Sequence, residues 1–367
     1  MSITATTYPQ SALIAELFNG PIDIVGDVHG EIDPLRALLS QLGYDEAGRH
    51  NGKRRLVFVG DLVDRGPDSP AVLELVMKLA GNGSAQCILG NHEMNLLRND
   101  RKHGNDWYTR PEVADPAQAT CASEEQKQRF HQFLLTLPLA LHNDRLRVVH
   151  ACWHSESLAR VAALEDDTDP LTAFELFDAE TIAAHEANFE LRAQAKSELD
   201  SLTAALSDHD AVPPFLPANA AIDTAWQMGN PIRVLTSGVE TPTAAPFYAG
   251  GKWRMVERRK WWEDYGEERP VIIGHYWRRF GDASTGLAGK YGPDLFAGIE
   301  PRHWMGKRNN VYCVDFSVGA KSVARANNID HSHFRLAAFR WPECSVMHDD
   351  GDSWEVAITD RQKPLSH

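Results

Sequence analysis

The chain has 367 residues, 43% of them apolar, with 51 acidic against 37 basic residues and a formal charge of −14. That length allows one large domain or a domain with a sizeable insertion. The charge argues against a protein built to coat nucleic-acid phosphates, so stable nucleic-acid binding is not expected, but a nucleotide or phosphoprotein substrate stays open because bound metals reverse a local field.

The first twenty residues read as a lead-in with a helix over Gln10 to Phe18. A β-α-β-α-β alternation follows. Its strands are 22–26, 55–60 and 86–89. Its helices are 31–42, with Leu35, Leu38, Leu39 and Leu42 at helical spacing, 69–80, with Val72, Leu75, Val76 and Leu79, and 92–98. Residues 99–123 are polar and irregular. A helix capped by Ser123 is predicted over 124–136. Leu139 to His142 and Leu146 to His150 form a hairpin with Asn143-Asp144 at its turn. From Ser155 to about Asp210 the chain is rich in Ala, Glu and Leu without glycine, which predicts two or more helices, broken by the prolines of 213–217. Strand patterns return at 271–273, 311–316, 334–341 and 354–358. The organisation expected is a layered α/β core over about 20–154 and 270–360, carrying a mostly helical insertion at 155–269.

Three strings stand at successive strand ends: Gly26-Asp27-Val28-His29-Gly30, Gly60-Asp61-Leu62-Val63-Asp64-Arg65-Gly66 and Gly90-Asn91-His92-Glu93. Sites in open α/β sheets form outside the carboxyl ends of strands. Hard oxygen and imidazole donors suit divalent ions such as manganese, iron or zinc. Asp27 and His29 can face one metal, Asp61 can bridge to a second, and Asn91 offers an amide oxygen. His150 and His275, each closing an apolar strand, complete the second metal. Turn and cap chemistry is the plain alternative for the Asp and Asn positions. Turn chemistry is the alternative for His29 as well, a helix-start residue for His92, an ion pair on the surface for Asp64 and Arg65, and a structural imidazole for His150 and His275. Glu93 is expected to start its helix and carry no chemistry.

These strings, with Val149-His150-Ala151 and Gly274-His275, resemble the calcineurin-like metallophosphoesterases. The resemblance is nearest to the phosphoprotein phosphatase superfamily and its bacterial branch, which includes symmetrical diadenosine tetraphosphate hydrolases. It covers 20–154 well and 270–320 in outline. It implies a four-layer α/β sandwich of two mixed sheets flanked by helices. It implies Asp27, His29 and Asp61 on one metal, and Asp61, Asn91, His150 and His275 on the other. It gives His92 the role of general acid, oriented by Asp64, and Arg65 that of phosphate clamp. Two divalent ions are implied, manganese first, with iron, zinc, nickel or cobalt as substitutes. Many broader relatives carry Gly-His-x-His with a second metal-binding histidine. Here Trp277 stands at that position, as the phosphoprotein phosphatase branch also lacks that ligand.

The implied activity is hydrolysis of phosphomonoesters, on a phosphoprotein or small phosphate, by direct attack of a hydroxide bridging the metals. The alternatives are a symmetrical bis(5'-nucleosyl)-tetraphosphatase and a non-catalytic, metal-bound binding module. The tail of the insertion is rich in aromatic and basic residues from Trp253 to Tyr265. These either stack a base and clamp a distal phosphate over the site or pack the insertion onto the sheet. Gly319-Ala320-Lys321-Ser322 ends like a phosphate-binding loop, but Val314 replaces the required earlier glycine. Five widely spaced cysteines predict a reducing cytoplasm. No apolar run is long enough to span a bilayer, and no signal peptide is read at the start.

Overall fold

The computed structural model describes residues 10–102, 104–114, 119–278 and 294–357. Strands β1 (Ile14–Glu16) and β2 (Ile22–Val25) lead to helix α1 (Ile32–Leu42), β3 (Arg55–Phe58), α2 (Ser69–Gly81), β4 (Ala85–Cys87) and α3 (Asn91–Leu97). Next come α4 (Asp106–Thr109), α5 (Glu124–Leu134), and the hairpin β5 (Ala140–His142) and β6 (Arg147–Val149). The insertion holds α6 (Ser155–Val161), α7 (Pro170–Ala187), α8 (Phe189–Asp200), α9 (Pro217–Gly229), α10 (Pro231–Ser237), β7 (Glu240–Ala249) and β8 (Lys252–Arg258). The core resumes with β9 (Val271–Ile273), β10 (Val311–Cys313), α11 (Ala320–Ala326), β11 (Ala337–Trp341), β12 (Ser345–His348) and β13 (Ser353–Glu355).

Two mixed sheets form the core, in the orders β1-β5-β6-β9-β10 and β13-β12-β11-β2-β3-β4. Side chains alternate across each strand. Ile22, Ile24 and Val57 of one sheet therefore meet Val148, Ile272 and Tyr312 of the other in one buried layer. Their neighbours Leu56, Phe58, Val149, Val271 and Ile273 face the helices instead. The result is the helix–sheet–sheet–helix sandwich. Burial on both faces explains why these strands read as continuous apolar runs. No helix among the described residues is long and apolar enough to cross a membrane.

One expectation needs correction, and two elements were not foreseen. The segment expected as a helix over Gln10–Phe18 is the edge strand β1, paired in parallel with β5 through Ile14 and Ala140. Leu13, Ile14 and Leu17 fit a helical face on spacing alone, but sheet pairing decides so short a segment. The insertion is not only helical, because β7 and β8 form an antiparallel hairpin. Its turn is Gly250-Gly251, both at positive φ of 60° and 80°, as a two-residue hairpin loop demands. β12 was not expected; it pairs with β11 and β13. Of the strand expected at 354–358, Ile358 lies outside the described residues.

One buried polar knot fastens β2 to its surroundings. Asp23 accepts hydrogen bonds from Arg54 Nε at 2.9 Å and Tyr44 Oη at 2.8 Å on one oxygen. Its other oxygen accepts from Arg54 at 2.8 Å and Arg340 Nε at 3.0 Å. Removing one partner of a buried pair leaves the other charge uncompensated. Asp23→Ala is therefore expected to cost about 3–5 kcal/mol of stability, read from urea denaturation midpoints. A loss under about 1 kcal/mol, the range of an exposed pair, would show that the knot is solvated.

Candidate metal centre

The carboxyl ends of β2, β3 and β4 in one sheet and of β6, β9 and β10 in the other open onto a common point. Asp61 Oδ2 lies at its middle, 3.4 Å from His150 Nε2, 3.8 Å from His29 Nε2 and 3.9 Å from His92 Nε2. Asp27 Oδ2 is 4.0 Å from His29 Nε2, and the Asp27 carboxylate also accepts the backbone N–H of His275 at 3.0 Å. Two clusters result, and both contain Asp61. One is His29, Asp61 and His92; the other is Asp61, His150 and His275.

The local backbone is built for this approach. His29, Asp61, Asp64, Arg65, His275, Trp277 and Ser317 all sit at positive φ, between 48° and 72°. Such conformations are rare for residues with a side chain and gather where surroundings over-determine them. A Cβ on Gly274 would collide with the Asp27 carboxylate, and one on Gly90 with that of Asp61. Glu93 holds the loops together: its carboxylate accepts the N–H groups of Asp61, Leu62 and Gly90 at 2.8, 2.7 and 2.9 Å. Burial, then the nearby Asp61, pushes its pKa up to about 7.

The donor atoms are prepared for cations. His29 Nδ1 donates to Val63 O at 3.0 Å and His150 Nδ1 to Val59 O at 2.7 Å, which turns each Nε2 inward. The buried atoms His29 Nε2, His275 Nε2 and Asn91 Oδ1 have no hydrogen-bond partner. Burial, then the charge of Arg65, holds His29 well below the ordinary imidazole range. Burial, then Arg258, does the same to His275. Both rings are thereby kept in the neutral form a metal requires. Burial, then the neighbouring Asp315, pushes Asp27 well above the usual carboxylate range. Burial opposes charge on Asp61 too, but His150, His92 and His29 outweigh it and hold that carboxyl well below its ordinary range. Burial would lower His150, yet the Asp61 carboxylate overrides it and raises the imidazole to about 10. A divalent cation competes for the lone pair that this proton occupies. Buried carboxylates, inward imidazoles and an orphaned amide oxygen fit a pair of divalent ions.

His92 stands beside this centre with its Nδ1 2.6 Å from Asp64 Oδ2. The other Asp64 oxygen accepts Trp107 Nε1–H at 2.7 Å, so the carboxylate is clamped on both sides. His92 Nε2 faces Arg65, whose guanidinium nitrogen lies 3.2 Å away. Eight of the residues singled out in the sequence are thus joined by these distances, and Asn91 precedes His92 with its buried Oδ1 unpartnered. Asp315 was missed. It is buried at the end of β10, and burial raises its pKa. Its signal was the pattern of the other ligand loops, an apolar strand, then a carboxylate, then a helix start at Gly319. A Cβ on Gly319 would collide with the His29 ring, so this glycine serves the site without a phosphate-binding loop.

The insertion reaches the core through its tail. Trp261 Nε1 donates to Ala151 O at 3.0 Å, and Trp262 is fully buried and stacked on Phe296 at 5.7 Å. Both indoles pack the insertion against the sheet.

Residues 20–178 match the family described as calcineurin-like phosphoesterase. This stretch contains the three loops that carry Asp27, Asp61 and Asn91, and also His150. Over 142 residues the chain is 37% identical to the asymmetrical bis(5'-nucleosyl)-tetraphosphatase PrpE of Oceanobacillus iheyensis, covering 35% of this chain and 54% of that protein. Over 73 residues it is 42% identical to the symmetrical bis(5'-nucleosyl)-tetraphosphatase of Pseudomonas fluorescens, covering 20% of this chain and 23% of that one. The chain spans about half the length of the first of these relatives and less of the second. A cold-active protein-tyrosine phosphatase of a psychrophilic Shewanella species superposes over 94% of this chain and 82% of its own, at 15% identity and a TM-score of 0.47.

Asp61→Asn is expected to keep the fold but lose the charge that both clusters share. Manganese retained after loading and desalting should fall from about two ions per chain to one or none, as the bridging ligand loses its charge. Undiminished manganese in the variant would remove Asp61 from the bridging position.

Proposed function

We propose that this protein is a metal-dependent phosphoester hydrolase that acts on phosphomonoesters. One observation carries the reading: two donor clusters share Asp61, and His92 of one of them is also hydrogen-bonded to Asp64 and faces an arginine. A pure metal-binding scaffold needs neither the dyad nor the arginine. Asp27, His29 and Asp61 are assigned to one ion, and Asp61, Asn91, His150 and His275 to the other. Two divalent ions bound there supply an activated water and neutralise phosphoryl charge.

The chain's own residues do the rest. Arg65 binds the equatorial phosphoryl oxygens, a planar donor fork meeting charge that spreads in the transition state. His92 Nε2 gives its proton to the leaving oxygen as the bond to phosphorus breaks. Asp64 keeps the other ring nitrogen protonated and the ring aimed, so the proton leaves from Nε2 and from no other atom. The imidazole is then reprotonated from water.

A dinucleoside polyphosphate is the second reading, favoured by relatives over the core that are named bis(5'-nucleosyl)-tetraphosphatases. Arg258, at the end of the insertion hairpin, lies close enough to act on His275 and is exposed to a ligand. Under either reading the insertion at 155–269 covers the cleft and selects the substrate, because its two ends are tied near His150 and His275.

His92→Asn should bind both ions and lose about a hundred- to ten-thousand-fold in turnover of an alkyl phosphate. The loss should be much smaller for p-nitrophenyl phosphate, whose leaving group departs without a proton. Equal losses on the two substrates would take the general-acid role from His92. Arg258→Ala separates the two substrate readings. If the substrate is a dinucleotide, kcat/KM for diadenosine tetraphosphate should fall about tenfold or more relative to p-nitrophenyl phosphate, the scale of a lost charge-assisted contact. An unchanged ratio leaves the phosphomonoester reading standing.

A further inference from the structure

Arg65 is a half-buried cation on a strained loop, with φ at 71°. Its Nη1 makes no hydrogen bond. The carboxylates of Asp61 and Asp315 attract it from the direction of the donor cluster. Left to Coulomb attraction alone, the guanidinium would settle onto those carboxylates. It would then neutralise donors that cations need and turn away from an incoming phosphate.

Trp277 offers a different resting place. The guanidinium carbon of Arg65 lies 4.2 Å from the centre of the indole ring. The indole packs against Ala320, Ala324 and Phe334, beneath and beside α11. Its backbone is at φ 56°, a conformation that tryptophan seldom adopts. The Trp277 N–H donates to Asp315 Oδ2 at 2.7 Å, and the Ser317 N–H donates to Asp315 Oδ1 at 2.8 Å. The loop after β10 thus holds the loop after β9 in its strained shape. Trp277 is the second residue past His275. Its indole offers no lone pair to a metal, but its π face attracts a guanidinium.

We propose that Trp277, held in place by Asp315, is the positioning residue for Arg65: its ring seats the guanidinium so that a free nitrogen meets the phosphoryl group of the substrate. This rests on the reading of Arg65 as the phosphate clamp. The seat uses the flat face of Arg65 and leaves its edge, with Nη1, for oxygen ligands. Asp315 acts through Trp277 by fixing its backbone.

The test uses the full chain loaded with manganese, with orthophosphate as the calorimetric probe and p-nitrophenyl phosphate as the substrate. Trp277→Leu should weaken orthophosphate binding about five- to thirtyfold, the scale of a partly desolvated cation–π contact. KM should rise by a similar factor, kcat should change less, and bound manganese should stay the same. Trp277→Phe should restore most of the affinity, because a ring is what the seat requires. In an Arg65→Ala background Trp277→Leu should add less than about twofold, since the two residues act as a unit. If Arg65→Ala weakens orthophosphate but Trp277→Leu leaves it within about twofold, the clamp stands and the seat is overturned. If Arg65→Ala itself leaves orthophosphate binding unaltered, the clamp reading fails and takes the seat with it. Additive losses in the double variant would also overturn the seat. Should Trp277→Leu lose its cooperative thermal transition, Trp277→Met replaces it under the same criteria.

Discussion

Asp61 Oδ2 has three imidazole Nε2 atoms within 4 Å, and the chain's main loops are arranged to keep them there. Bare carboxylates are costly to bury, and a buried cluster of several is costlier. Asp27, Asp61 and Asp315 are nevertheless all buried within one cluster. The chain answers that cost with imidazoles, with the Arg65 cation and with backbone N–H groups from His92, His275, Trp277 and Ser317. Three of these N–H groups come from loops that leave strands and that of His92 from the first turn of α3, so carboxylates and backbone secure one another. A cluster of this kind is a candidate site for divalent ions.

The same constraint accounts for the strained backbone. Side chains from two sheets meet at one point. Ordinary loop conformations would carry the side chains past that point. Left-handed residues turn the chain sharply at His29, Asp61 and His275, and glycines at 90 and 274 clear space for the carboxylates. Glu93 supports that strained backbone. Its three accepted N–H groups hold the Asp61 loop against the start of α3. Motif positions that look chemically expendable in the string Gly90-Asn91-His92-Glu93 are thereby as constrained as the ligands.

The sheet core and the ligand loops were legible in the sequence because burial on both faces writes strands as β-branched runs, and because each run stops at a residue with a donor atom. The hairpin β5–β6 and the capped helix α5 were legible through Asn143-Asp144 and Ser123 for the same local reason. The failures lie where local signals were weak or long-range pairing decided. β1 has a helix-compatible pattern, and only its pairing with β5 makes it a strand. The insertion hairpin had a local signal in Gly250-Gly251, which the helical composition upstream obscured. Asp315 lay in plain view after Val311 to Val314, but no short motif surrounds it, and its place in the site depends on β10 lying beside β9.

Trp277 shows how one substitution of residue type redistributes roles across such a site. A histidine there would add a donor to a cluster that already has three buried carboxylates and several imidazoles. The indole adds no donor. It instead gives the sole arginine of the three strings a surface other than the carboxylates on which to rest, and its ring centroid lies 6.2 Å from that of His29. Charge that would otherwise be neutralised inside the cluster is thereby kept at its edge, where the proposed function brings a phosphoryl group. The two arrangements, an additional ligand or an oriented cation, are alternative answers to one problem: how a buried, negatively charged donor set attracts metal ions without also repelling an anionic substrate.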